Sequence, residues 1–264
     1  MLIRKLKSIP GSLALFMLAM VSMAAAKQPG VFSFIPASEG KSSDSTVIAP
    51  PAICLNTEAE RYAKDYTRKN MYTLKVVSGR TKSFFPIMEK VLAKNGLPVE
   101  LKYLAVVESN LTSKSRSRVG AVGPWQLMPV TARTMGLNVN GNYDERTNTY
   151  KSTAAAAKYL KMLNKMFGDW LLVLAAYNSG PGPVLKAIKR SGSRNFWKLQ
   201  QYLPLETRNH VKRYIAVHYY FEGAAGITTQ TKAELEEYNQ VLDEFWAAQK
   251  DTLPNDEVIA AVLE

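Results

Sequence analysis

From Asn56 onward the apolar and polar positions fall into a helical pattern. Thr57 stands where a cap belongs ahead of "EAERYAKDYTRKNMYTLKVV". In "TKSFFPIMEKVLAKNGLP", Phe84, Met88, Val91 and Leu92 form an apolar stripe, and Gly96 supplies the stop. Pro98 opens "PVELKYLAVVESN" at a position where a first-turn proline is favoured. "PVTARTMGL" predicts a short helix or turn. Ser152 or Thr153 can cap "AAAAKYLKMLNKMFG", whose Ala156, Leu160, Leu163 and Phe167 share one helical face. "DWLLVLAAYN" is nearly all apolar and predicts a buried helix ended by Gly180 and Pro181. "ETRNHVKRYIAVHYYFEG" predicts another helix. "KAELEEYNQVLDEFWAAQK" predicts a polar amphipathic one, expected to pack back on the domain. No strand-like alternation of useful length, internal repeat, dinucleotide-binding or phosphate-loop pattern interrupts this series. The expected class is mainly α.

Composition adds a size and a partner class. At 264 residues and 47% hydrophobic, the chain can build one medium domain with short extensions. A net charge of +12 predicts an anionic partner such as nucleic acid, acidic lipid or an acidic wall glycan. Aromatic and basic residues are not interleaved in a nucleic-acid-binding signature, so no nucleic acid partner is expected. Arg4, Lys5 and Lys7, the apolar stretch from Gly11 to Met23, and Ala24 to Ala26 together read as a signal peptide over 1–26. The apolar stretch is short beside the ~20 residues of a membrane span, which favours cleavage over anchoring. Export to the periplasm or cell envelope follows. Residues 27–54 read as a flexible tether, 55–225 as the domain, and 226–264 as a helical tail. Cys54 is the single cysteine and has no partner for an intramolecular disulfide. With His210 and His218 it forms no metal-binding spacing, so neither metal nor cofactor is expected. The chain is expected to act as a monomer, with peripheral association to membrane or wall.

Glu108 is the candidate for chemistry. Leu97, Leu101, Leu104 and Glu108 recur at helical spacing, which places the carboxylate on the apolar stripe. Burial and the negative end of the helix both disfavour its anion, as a general acid requires. Periodicity weighs this equally against a solvated glutamate on a frayed last turn. No acidic residue intervenes between Glu108 and Asp144. A second carboxylate for ordinary glycoside hydrolysis would have to come from Asp144, Glu145, Asp169 or Glu206 through folding.

"ESN", then "SRVGAVGPWQLMPVTA", "LAAYNSGPG" and "LPLETRNHV" stand in an order that resembles the lysozyme-like domain of lytic transglycosylases, over roughly Leu55 to Gly223. The chain is most similar to the membrane-bound type D branch. The resemblance implies a goose-type lysozyme-like helical domain with a cleft around a central catalytic helix. It implies that Glu108 is the sole acid and base acting on peptidoglycan glycan strands. Glu108 would protonate the β-1,4 oxygen between N-acetylmuramic acid and N-acetylglucosamine. It would then take the proton of the muramoyl C6 hydroxyl, which closes onto C1 as a 1,6-anhydro end. Ser117 and Gln126 match positions that hydrogen-bond the sugars, and Met128 matches an apolar contact. Tyr177 and Asn178 match cleft-lining positions, where a tyrosine hydroxyl can orient the carboxyl group. Their ordinary readings are a turn cap for Gln126, core for Met128 and a buried ring for Tyr177. Trp125 replaces a smaller apolar residue and would either stack on sugar or pack. The resemblance fails at His210, where the family usually carries a cleft-lining tyrosine; Tyr214, one turn on, could substitute. A goose-lysozyme-like hydrolase and a catalytically silent peptidoglycan-binding protein are the alternatives.

Overall fold

A computed structural model describes residues 50–250, apart from Asn142 and the side chain of Lys250. The expected signal peptide, residues 27–49 of the tether and residues 251–264 of the tail lie outside the described residues. Residues 50–247 pack as one compact unit.

The unit is mainly α-helical, as expected. Its helices are α1 (Thr57–Lys94), α2 (Lys102–Ser109), α3 (Pro129–Thr134), α4 (Thr149–Phe167), α5 (Trp170–Ser179), α6 (Pro181–Ser191), α7 (Phe196–Leu199), α8 (Leu205–Glu222) and α9 (Lys232–Lys250). Among the described residues the sheet content is one short antiparallel pair, β1 (Val139–Asn140) and β2 (Tyr143–Asp144), with Val139 opposite Asp144. No helix among them is long and apolar enough to cross a membrane.

The two windows read before Gly96 are one helix. Pro86 lies inside α1, where it removes a backbone donor. Leu74 and Val77 ahead of it, and Met88, Val91 and Leu92 behind it, are buried in the core and hold the helix on line. The cap is Asn56 rather than Thr57: its Oδ1 accepts the Ala59 N–H at 2.9 Å. Gly96 does end the helix, with φ +67°; Leu97 N–H returns to Leu92 O and Gly96 N–H to Ala93 O, the Schellman pattern.

Helix α4 also begins earlier than expected, capped by Asn148. Ser152 and Thr153 lie buried inside it, and their hydroxyls turn back onto the carbonyls of Asn148 and Thr149. Helix α5 is buried from Leu171 to Ala176 and packs against α4, α6 and α8. Asp169 caps it through Leu172 N–H at 3.1 Å and receives Lys232 N–H at 2.7 Å, which ties the start of α9 to the core. Further along α9, Tyr238 donates to Pro51 O at 3.0 Å, and just ahead of it Gln230 donates to Cys54 O at 2.9 Å.

Behind α2, His218 is buried edge-on to the Tyr103 ring, 5.5 Å between centroids, with Tyr214 beyond. Its ring nitrogens meet no hydrogen-bond partner of ordinary geometry, only a weaker contact with the Ala224 backbone. Burial pushes its pKa down to about 4, with Glu222 and that Ala224 contact opposing and Lys102 adding to the fall. In the unfolded chain the ring protonates near 6.5. The unfolded state therefore binds the extra proton first, and stability falls as pH drops from about 6.5 towards 4. The expected loss is up to about 3 kcal/mol. Urea midpoints across that window should fall more steeply for the native chain than for His218→Leu. Equal slopes would remove His218 as the cause.

Candidate active site

Pro98 caps a single 3-10 turn, Val99–Leu101, that leads directly into α2. Helix α2 is short but central. Lys102 through Val106 and Ser109 are buried, and it packs against α1 and α8. It stops at Asn110 (φ 51°) and Leu111 (φ 55°), two successive non-glycine residues in the left-handed region. Asparagine tolerates that conformation through its short polar side chain; a buried leucine does so only when its surroundings hold it. Arg80 supplies part of the restraint by donating to Asn110 O at 2.8 Å and Thr112 Oγ1 at 3.0 Å. Ser109 Oγ adds a donor bond to Pro124 O at 2.9 Å. The end of α2 and the loop after it are thus held from both sides.

Glu108 lies in the last turn of α2 with its side chain 14% exposed. Of the two placements weighed from the sequence, it takes the drier one. Its Oε1 is 2.8 Å from Nε2 of His210 on α8, whose side chain is 3% exposed. The residue that breaks the family pattern is therefore bonded to the candidate acid. Tyr214 does not stand in for the missing tyrosine, because its buried hydroxyl donates towards Glu100 O at 3.1 Å and Thr228 Oγ1 at 2.8 Å.

Tyr177 sits beside this pair without binding it. Its hydroxyl donates to Trp125 O at 2.8 Å, so it fixes the loop and not the carboxyl group. Burial and then the Glu108 charge hold that hydroxyl well above the ordinary phenol pKa. Asn178 Oδ1 accepts from Thr207 Oγ1 at 2.9 Å and braces the end of α5 against α8.

The loop from Asn110 to Met128 carries the other candidates. Ser117 closes a turn: its Oγ accepts Ala121 N–H at 2.9 Å, which leaves its own hydrogen available. Gln126 (φ 45°) donates through Nε2 to Gly123 O at 2.8 Å and Ser115 O at 3.2 Å, the turn-capping arrangement, while Oε1 remains without an intramolecular bond among the described residues. Met128 is not core; it is 42% exposed ahead of α3. Trp125 packs: it is fully buried and donates to Thr153 Oγ1 at 2.9 Å.

Arg146 is the residue that sequence reading missed. It is buried, and its Nη1 donates to Gly120 O at 2.8 Å and Leu127 O at 2.9 Å. Its Nε and Nη2 form a fork on Asp144. Gly123 fits beneath it only because it has no side chain, since a Cβ there would lie 1.9 Å from Arg146 O. One guanidinium thus closes both ends of the segment that carries Gln126.

Three of the four carboxylates considered as partners have bonds of their own, and the fourth is exposed. Arg146 holds the Asp144 carboxyl below its ordinary pKa, and Glu145 accepts from Lys151 and from Asn138 N–H. Asp169 is spent on capping, and Glu206 is exposed in the first turn of α8. None of them is bonded to Glu108 or His210. Among the described residues no group of His, Cys, Asp and Glu could hold a metal ion.

Residues 85–200 match the family described as Transglycosylase SLT domain. Over 167 residues the chain is 40% identical to membrane-bound lytic murein transglycosylase D of Escherichia coli (strain K12), a match covering 61% of this chain and 36% of that protein. Over 99 residues it is 34% identical to peptidoglycan transglycosylase gp16 of Escherichia phage T7, covering 36% of this chain and 8% of that one. The chain therefore spans about a third of the first relative's length and less of the second's. In fold it is similar to the crystal structure of the 70-kDa soluble lytic transglycosylase of Escherichia coli, with a TM-score of 0.51 and 24% identity over 67% of this chain and 32% of that one. Fold and family match point the same way: residues 85–200 of this chain match the transglycosylase SLT domain family, on a fold similar to that of the soluble lytic transglycosylase.

Proposed function

We propose that this protein is a lytic transglycosylase that cuts the β-1,4 bond between N-acetylmuramic acid and N-acetylglucosamine in peptidoglycan without water. Glu108 acts as both acid and base. The carboxyl proton passes to the glycosidic oxygen as the C1–O4 bond breaks. The resulting carboxylate takes the proton of the muramoyl C6 hydroxyl, O6 bonds to C1, and the acid is restored. The protein ends the cycle in the state in which it began.

The observation that carries this reading is that, among the described residues, no second carboxylate is bonded to Glu108 or to His210. Two-carboxylate glycosidases place a second carboxyl group about 5–9.5 Å away, either as nucleophile or to activate water. Here Asp144, Glu145 and Asp169 are committed to arginine, lysine or backbone partners of their own. Ser117, Gln126 and Met128 offer a hydroxyl hydrogen, an amide oxygen and an apolar surface for positioning the sugars. A +12 chain suits an anionic wall polymer, and the cell envelope is where that polymer is met.

One observation favours a second reading, hydrolysis as in goose-type lysozymes. Glu206 has no ion-pair partner among the described residues and stands one helical turn before His210 on α8. It could orient a water. Product chemistry decides between the two. Purified sacculi digested with this protein should release muropeptides that end in 1,6-anhydro rings, lighter by one water than hydrolysed ends. Reducing ends in their place would make the protein a hydrolase, and intact sacculi would leave it a binding protein.

A further inference from the structure

Glu108 Oε1 and His210 Nε2 lie 2.8 Å apart, and one hydrogen must sit between them. Either atom could carry it, and the other ring nitrogen decides which. Nδ1 of His210 is buried and has no hydrogen-bond partner among the described residues. With the ring hydrogen on Nδ1, an N–H donor would be buried unpaired, the rarer kind of defect in folded proteins. The Nε2 lone pair would then face Oε1 and bond it only while Oε1 itself carried a proton. With the hydrogen on Nε2, only an acceptor is left unpaired. That bond also survives whether Glu108 is protonated or ionised. A doubly protonated ring would pair its charge with the Glu108 carboxylate but would still bury an unpaired N–H at Nδ1.

We infer that His210 is a fixed Nε2–H donor to Glu108 that occupies Oε1 and leaves Oε2 to deliver and recover the catalytic proton. The inference rests on the proposed acid–base role of Glu108 and adds a division of labour between its two oxygens. His210 is then a positioning residue. It touches the acid, not the sugar, which differs from the substrate-contact role that the family resemblance implies for its position. The neighbouring polar groups do not compete for Oε1. Tyr177 donates to Trp125 O, and Asn178 is bonded to Thr207.

The arrangement bears on rate. While Oε2 holds its proton, the bond from Nε2–H is a neutral one. As that proton leaves, charge spreads to Oε1 and the same bond becomes charge-assisted and stronger. The extra strength exists only once charge develops, so it lowers the barrier without tightening substrate binding. It is given back when the carboxylate recovers a proton from the C6 hydroxyl. The bond is in place before the reaction starts, because both side chains are already nearly closed to solvent.

The direct test is the position of the ring hydrogen. The full chain, labelled with nitrogen-15 at histidine, has only two rings to observe, and His218→Leu assigns them. Long-range proton–nitrogen correlation at neutral pH should show His210 with its hydrogen on Nε2 and a bare Nδ1. A hydrogen on Nδ1, or on both nitrogens, overturns the inference whatever the protein does to glycan. The kinetic test compares His210→Gln, whose amide nitrogen reaches about as far as Nε2, with His210→Leu, which has no donor. Leucine should lower kcat on purified glycan strands on the order of 10-fold with KM little changed, and glutamine should recover most of it. Equal losses in the two variants, or a change in KM alone, also overturn it. Should the leucine variant fail to fold, the glutamine variant and the ring spectrum decide. Should the native protein leave glycan uncut, the acid–base reading of Glu108 falls, and the ring spectrum alone settles whether His210 is the donor.

Discussion

Glu108→Gln is expected to lower the rate of sacculus cleavage by about 10²–10⁴-fold, the usual share of a general acid–base residue, while leaving the fold and glycan binding in place. The substitution changes little besides the proton. Glutamine matches glutamate in size, and its Oε1 can still accept from His210 Nε2–H across the present 2.8 Å bond. An amide nitrogen standing at Oε2 has hydrogens but cannot hand one to a leaving oxygen and later recover it. The measurement is release of soluble muropeptides per unit time, paired with a binding assay on the same sacculi. Loss of cleavage with binding kept places the proton on Glu108. A variant that cuts at the native rate would show that another group supplies it. Asp144, Glu145 and Asp169 would each have to give up existing bonds to do so.

What the sequence disclosed and what it hid divide along contact distance. The stripe from Leu97 to Glu108 is local; it put a carboxylate in line with apolar residues but weighed a solvated last turn equally, and the packing of α2 decides for the drier placement, 14% exposed. Gly96 is local too, and the two backbone bonds that close its turn follow from its freedom at positive φ. Misplaced boundaries came where adjacent residues offered the same signal. Asn56 and Thr57 can both cap, and only the bonded Ala59 N–H distinguishes them. Ser152 and Thr153 looked like caps because their hydroxyls can serve either end of a helix or its interior. The site is a different matter. Glu108 and His210 are 102 residues apart and meet only because α2 packs against α8. Motif order put both residues in one cleft without saying that they touch. The same blindness misassigned the Tyr177 hydroxyl, whose partner is a carbonyl 52 residues away. Arg146 gave no signal at all, since an arginine in "DERT" reads as surface charge until the fold brings Gly120 and Leu127 to it.

Arg146→Ala is expected to cost about 3–5 kcal/mol of folding stability at neutral pH, the range for removing one partner of a buried ion pair. Three losses add up there. Asp144, its side chain only 12% exposed, would keep its charge with just Arg116, 3.8 Å away, to answer it. The carbonyls of Gly120 and Leu127 would lose their shared donor. A cavity would open where the buried Arg146 side chain stood. Arg146→Lys separates charge from shape. It restores a cation but cannot fork onto Asp144 while reaching two carbonyls, so its stability should fall between the native chain and the alanine variant. The sign of the pH dependence follows from the same pair. Because Arg146 lowers the Asp144 pKa, the stabilisation is complete above the unfolded value near 3.9 and fades as pH drops through the folded one. Urea unfolding at neutral pH is the measurement, and a loss below about 1 kcal/mol, no more than an exposed ion pair is worth, would reduce Arg146 to an ordinary surface cation. Activity carries the second half of the prediction. Gln126 lies between the two carbonyls that Arg146 holds, at a positive φ of 45°. Cleavage by Arg146→Lys should therefore fall as well as its stability, because the protein can remain folded while the loop that carries Gln126 no longer stays in register with Glu108.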